Sequence, residues 1–158
     1  MVVEHVFVTT LDATPAMQLA ANMLREAGYT LDSLTTRELR ARRGTGGLMN
    51  HTVAELPHNI HMTFDRGRVT LAVAIQPRGG QDMNVHGMVG AAVAKAVEQL
   101  LVHGSPPQQC VGYLRHVDTM AGKPWPAVNK VTLGCLIALG GILALGILIA
   151  VIAAASSH

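Results

Sequence analysis

Two neighbouring runs near the middle of the chain alternate apolar and polar residues, and no other pattern in the sequence is as regular. In HNIHMTFDRGRVTLAVAIQP, residues 58–77, Ile60, Met62 and Phe64 take every second position, and Val69, Leu71, Val73 and Ile75 do so again after Asp65-Arg66-Gly67-Arg68. Period-two patterning over so short a run marks half-buried strands, and a glycine in the turn supplies the positive φ that a tight hairpin needs. Pairing about that turn sets Phe64 opposite Val69, Met62 opposite Leu71 and Ile60 opposite Val73, a continuous apolar surface. The other face carries Asn59, His61, Thr63, Thr70, Ala72 and Ala74. These are small or neutral, where a solvated sheet face usually bears charge.

Other elements follow from the same patterning. Residues 2–9, VVEHVFVT, are short and β-branched, which predicts a strand. After it Met17, Ala20, Ala21, Leu24 and Ala27 recur at helical spacing, with Gln18, Asn22, Arg25 and Glu26 on the opposite side. Thr14 is the expected N-cap, Pro15 the first helical residue and Gly28 the residue that ends the helix. Residues 34–43, LTTRELRARR, read either as a strand, because Leu39 and Ala41 alternate with Glu38, Arg40 and Arg42, or as a helix opened by a Thr35/Glu38 capping box. The strand is preferred, since no apolar stripe at helical spacing accompanies the box. Residues 44–57 form a Gly-rich loop. A second helix is expected over residues 84–103, its apolar face built from Val85, Met88, Val89, Ala92, Val93, Ala96, Val97, Leu100 and Leu101 and closed by Gly104. The order β-α-β-β-β-α predicts a small two-layer α+β domain over residues 1–104, an antiparallel sheet with two helices on one face.

Beyond it the pattern changes. Residues 105–130 contain four prolines and read as a juxtamembrane connector, with a short helix around 109–121 that carries Val111, Leu114 and Val117 along one edge. Residues 131–155 then lack any Asp, Glu, Lys or Arg. Roughly 20 apolar residues suffice to cross a bilayer core, so this segment reads as a transmembrane helix. Lys123, Trp125 and Lys130 stand before it as membrane-interface residues, and by the positive-inside rule the domain faces the cytoplasm with the C-terminus on the opposite side of the cell membrane. The arrangement is that expected of a single-pass, tail-anchored protein. Gly134 and Ala138, Gly140 and Ala144, and Gly146 and Ala150 repeat the small-xxx-small spacing that lets helix backbones approach. The same spacing arises by chance in any span so rich in Gly and Ala.

Composition sharpens this picture in a few places. Charged residues make up 14% of the chain, and all of them lie between Glu4 and Lys130. The net charge of +2 gives no electrostatic footprint for nucleic acid. Cys110 and Cys135 are expected as free thiols, and the N-terminus has no basic region leading into an apolar run, so it does not read as a signal peptide.

Candidate chemistry is sparse. His58 and His61 invite a metal, but residues three apart on a strand point to opposite faces, and solvent-facing or backbone-satisfied histidines are the simpler reading. Gly44-Thr45-Gly46-Gly47 lacks the Gly-Lys-Ser/Thr ending of a phosphate loop. Ser33 and Ser105 occupy no nucleophile elbow, no carboxylates stand in motif spacing, and Cys110 has only His116 nearby in sequence. No catalytic residue, cofactor site or metal site is nominated. Arg37, Arg40, Arg42 and Arg43 form one basic cluster, read as a solvated strand face or as a contact for anionic headgroups. The sheet face of His61, Thr63, Thr70, Ala72 and Ala74 is the candidate partner-binding surface, unless the 44–57 loop covers it. These features lead to the expectation of a non-enzymatic accessory or scaffold subunit of a membrane assembly, partnered by the bilayer and by other membrane subunits or by itself. The alternatives are a tethered domain that binds a lipid or apolar ligand between sheet and helices, and an enzyme without a recognisable motif.

Overall fold

A computed structural model describes residues 1–44, 55–76 and 83–122. The segment 131–155, its packing residues Gly134, Ala138, Gly140, Ala144, Gly146 and Ala150, and the flanking Lys123, Trp125 and Lys130 lie outside the described residues. Among the described residues no helix is long and apolar enough to cross a membrane.

Five strands form one antiparallel sheet in the order β1-β5-β4-β3-β2. They are β1 (Val2–Val8), β2 (Thr30–Leu34), β3 (Glu38–Arg43), β4 (His58–Asp65) and β5 (Arg68–Ile75). The β4–β5 hairpin has the register that its alternation predicts, with Phe64 opposite Val69, Met62 opposite Leu71 and Ile60 opposite Val73. Arg66 and Gly67 both take positive φ, 48° and 79°, as a two-residue hairpin turn matched to the sheet twist requires.

Within residues 34–43 the strand reading holds over Glu38–Arg43, with Leu39 and Ala41 buried between Glu38, Arg40 and Arg42, but the strand does not reach back to residue 34. The segment is a turn followed by β3, and β2 precedes the turn as a fifth strand. Thr35 Oγ1 accepts the Glu38 N–H at 2.9 Å, which is the capping-box bond, but it closes a β2–β3 hairpin in which the Thr35 N–H donates to Glu38 O. The side-chain chemistry that opens helices also closes turns, and sequence spacing does not separate the two.

Helix α1 (Ala13–Glu26) lies over β2 and β3, and α2 (Met83–Leu101) over β1 and β5, both on the same face. The α1 stripe Met17, Ala20, Ala21, Leu24 and Ala27 is buried as its spacing predicts. Its start is corrected: Asp12 is the N-cap residue, so Thr14 and Pro15 both lie inside the first turn. Proline is tolerated there because the first-turn N–H groups have no intrahelical partner. At the other end Gly28 has φ 88°, its N–H donates to Arg25 O and the Tyr29 N–H to Leu24 O. This double bond terminates the helix and turns Tyr29 into the core. In α2 the expected face is buried except at Val85, which is half-buried, and Met88, which is 39% exposed. Where α2 crosses β1, Gly90 lies so close to Val3 that a Cβ there would stand 2.7 Å from Val3 Cγ2.

Residues 107–121 form a third helix, α3 (Pro107–Ala121), which packs on α1 and α2 and buries Cys110, Val111, Leu114, Val117 and Ala121. The first half of the expected connector is thus a helix of the compact unit, which runs from Met1 to Lys123. The layers are sheet, then α1 with α2, then α3. Leu39, Ile60, Met62, Val69, Leu71 and Val73 of the sheet are at 0–2% exposure, and Met17, Met23, Leu24, Val93 and Val97 of the helices are buried likewise. Each such side chain contributes about 1.5–3 kcal/mol by leaving water.

Candidate interaction surface

The sheet has one face under helices and one that carries no element among the described residues. Strand alternation places Val2, Glu4, Val6 and Val8 of β1 on the open face, followed by Thr70, Ala72 and Ala74 of β5, Asn59, His61 and Thr63 of β4, and Glu38, Arg40 and Arg42 of β3. The register aligns them in rows across the strands. Val2, Ala74, Asn59 and Arg42 form one row, Glu4, Ala72, His61 and Arg40 the next, and Val6, Thr70, Thr63 and Glu38 a third. The candidate residues His61, Thr63, Thr70, Ala72 and Ala74 therefore share the centre of one surface.

Its chemistry changes from one side to the other. At the β3 side the charges neutralise each other: Arg40 Nε donates to Glu38 Oε1 at 2.6 Å, His61 Nε2 lies 3.0 Å from the same oxygen, and Arg42 Nε lies 3.0 Å from Asp32 Oδ1. The Arg40 guanidinium hydrogen-bonded to Glu38, with His61 adding to it, holds that carboxyl below the ordinary glutamate range. At the β1 side stand Val2, Val6 and Val8, exposed by 58%, 44% and 68%. Between them the alanines of β5 are short beside the taller Arg40 and His61. This leaves a shallow hollow of ≈ 350 Å³ that Asp32, Arg40, Asn59, His61, Ala72 and Ala74 help to line. Such a floor offers van der Waals contact and a few polar anchors, with no free charge to be desolvated.

The basic cluster divides as strand alternation requires. Arg40 and Arg42 point outward, while Arg43 points inward and is clamped by α3: its Nη1 and Nη2 donate to Asp118 Oδ2 and Oδ1 at 2.7 and 2.8 Å. Nη1 also reaches Ala27 O at 3.2 Å, and the guanidinium carbon stands 4.6 Å from the Tyr29 ring centroid. Burial opposes the Arg43 charge, but the Asp118 hydrogen bonds and the attraction of Tyr29 and Asp118 outweigh it, so its pKa is raised. Tyr29 Oη lies 3.3 Å from His58 Nδ1 in the core, and burial pushes the phenol up to about 12. His58 is fully buried, which corrects the solvent-facing reading for it. His61 is exposed on the opposite face, and the two imidazoles do not converge. Among the described residues no three His, Cys, Asp or Glu side chains are grouped to hold a metal ion. Cys110 is buried in α3, and that burial raises its thiol pKa, which disfavours the reactive thiolate.

Sequence reasoning missed Arg43 and Asp118 as partners, because 75 residues separate them and the short helix expected around 109–121 belongs there to the connector rather than to the domain. It also missed the open face of β1, whose valines signal a strand without saying that it is an edge. No family model matches the chain, and no curated protein sequence matches it either.

Proposed function

We propose that the domain is a non-enzymatic interaction module, an accessory or scaffold subunit of a membrane assembly, which docks a partner on its open sheet face. The observation that carries this reading is the composition of that face: Ala72 and Ala74 form its floor, and Glu38, Arg40, Asp32 and Arg42 on its β3 side are already paired with one another. A partner covering it desolvates little uncompensated charge, which is the main cost of covering an ordinary sheet surface. The charge-free segment 131–155 supplies the attachment, and places the domain at the cytoplasmic side of the cell membrane.

The apolar-ligand alternative rests on composition. Three hollows lined by described residues lie on the open face, between the start of α1 and the end of α2, and against the β2–β3 turn. An enzyme has even less to recommend it, because buried Tyr29 and His58 and half-buried Arg43 and Asp118 pair with one another. The test is native purification of the full chain in mild detergent, with Ala72→Arg compared to the parent. Co-purifying membrane subunits are expected with the parent and are expected to be lost from the variant while its circular dichroism is unchanged. Retention of the same subunits by a folded Ala72→Arg protein rejects the sheet face as the docking surface.

A further inference from the structure

The two edges of the sheet are built differently. Strand β2 is short, shifts register against β3 between Leu31 and Ser33, and sets the Asp32–Arg42 ion pair on its outer side. A short strand, a bulge and charge are the devices that stop an edge from pairing with another chain. Strand β1 is longer and has no bulge, and Glu4 is its one carboxylate. It runs in unbroken register with β5 from Val2 to Val8, contains no proline, lysine or arginine, and exposes three valines.

The direction of its free backbone groups follows from the pairing on its other side. Met1 and Ile75 exchange both main-chain hydrogen bonds at 2.9 Å, and the Thr9 N–H donates to Gly67 O. In an antiparallel pair such bonded positions recur at every second residue, so odd-numbered residues of β1 bond to β5. The N–H and C=O groups of Val2, Glu4, Val6 and Val8 therefore point out of the free edge, a row with no partner strand among the described residues.

We propose that this row is completed by a second copy of the chain, β1 pairing antiparallel with its own symmetry mate to give one continuous sheet. Two-fold pairing allows only a few registers. Centring on Glu4 sets that carboxylate against itself, and centring on Val6 leaves the Val2 groups unpaired. Centring on His5 sets Val2 opposite Val8 and Glu4 opposite Val6, so every outward N–H and C=O of the row is bonded and no like charges stand directly opposite. On the inner face Val3 then meets Phe7 of the second copy. His5 meets His5, and the His5 Nε2 to Glu98 Oε2 contact of 2.9 Å, about one third exposed, lies beside the axis. Each Glu98 carboxylate there is presented to two imidazoles. Helix α2 follows β1 from Gly87 beside Met1 to Leu101, whose carbonyl accepts the Thr9 hydroxyl, so the two α2 helices also come side by side. The axis runs perpendicular to the sheet, which leaves both copies with the same face toward any surface that holds them. The pairing is independent of what docks on the open face.

The test uses the full chain in detergent with Cys135→Ala as background, Cys110 being buried. The expected particle is a dimer by light scattering. Added to that background, His5→Cys should form an intermolecular disulfide, because the residues on the axis are a non-hydrogen-bonded pair about 4.5 Å apart at Cα, within disulfide range. Val3→Cys, which faces Phe7 rather than itself, should cross-link far less. Val6→Pro removes only an outward N–H, which an edge strand tolerates, and should return the chain to a monomer that still melts cooperatively. Val6→Lys serves the same purpose should the proline variant fail to fold. A monomeric parent overturns the proposal. So does a dimer that survives the folded Val6 variant, or one in which His5→Cys cross-links no better than Val3→Cys.

Discussion

Tyr29 shows how one residue is held by three elements at once. The end of α1 turns it inward, Arg43 of β3 covers its ring, and His58 of β4 meets its hydroxyl. Its environment favours the neutral phenol, so the folded-state pKa of about 12 lies above the value of 10.0 for a free side chain. A raised pKa means that the unfolded chain loses its proton first, so the contribution is intact below pH 10 and is lost as pH rises toward 12. Two pKa units correspond to about 2–3 kcal/mol. Stability in urea is therefore expected to fall between about pH 10 and 12, and Tyr29→Phe to flatten that fall. In the native protein the matching phenolate absorbance should appear only near the upper end of this range and be missing from the variant. A phenolate band from Tyr29 already complete near pH 10 contradicts the burial argument.

At the scale of elements, legibility depended on whether a signal was local. The β4–β5 hairpin was readable because its alternation and its turn residue lie in one run of sequence. The α1 stripe was readable for the same reason. Strand β2 was not, since TLDSL has neither strict alternation nor a β-branched majority, and it forms because β3 offers it a ladder. Helix α3 was half readable: Val111, Leu114 and Val117 mark an apolar edge, but nothing local says that α1 and α2 will cover it. The contact of α2 with β1 is likewise invisible in sequence, where Gly90 is only a weak point in a helix. In the fold it is a spacer. Gly90→Ala gains about 1 kcal/mol of helix propensity, yet the stiff Val3 side chain stands in the new methyl's place and overpacking of this kind costs about 1–3 kcal/mol. Net destabilisation is expected in urea unfolding. Combined with Val3→Ala, the same substitution should become neutral or stabilising, and equal effects in both backgrounds would remove the close approach as the reason for this glycine.

For the whole molecule, the third layer decides where the domain ends. Val111, Leu114 and Val117 together bury enough apolar surface to contribute on the order of 5 kcal/mol, comparable with the total stability of many domains of this size. A chain of residues 1–105 also leaves Arg43 in the core without its carboxylate, which is costly in itself. It is expected to lose its cooperative thermal transition, whereas residues 1–123 should keep it; a sharp melt from the shorter chain would make α3 an accessory. The Arg43–Asp118 clamp adds a mechanical consequence. Asp118 lies in the last turn of α3, and Arg43 ends β3, so tension entering at Gly122 is passed within one helical turn into the sheet. The helix is not peeled from its end residue by residue. A tug arriving from the downstream chain is instead shared with β3 and, through its ladders, with β2 and β4.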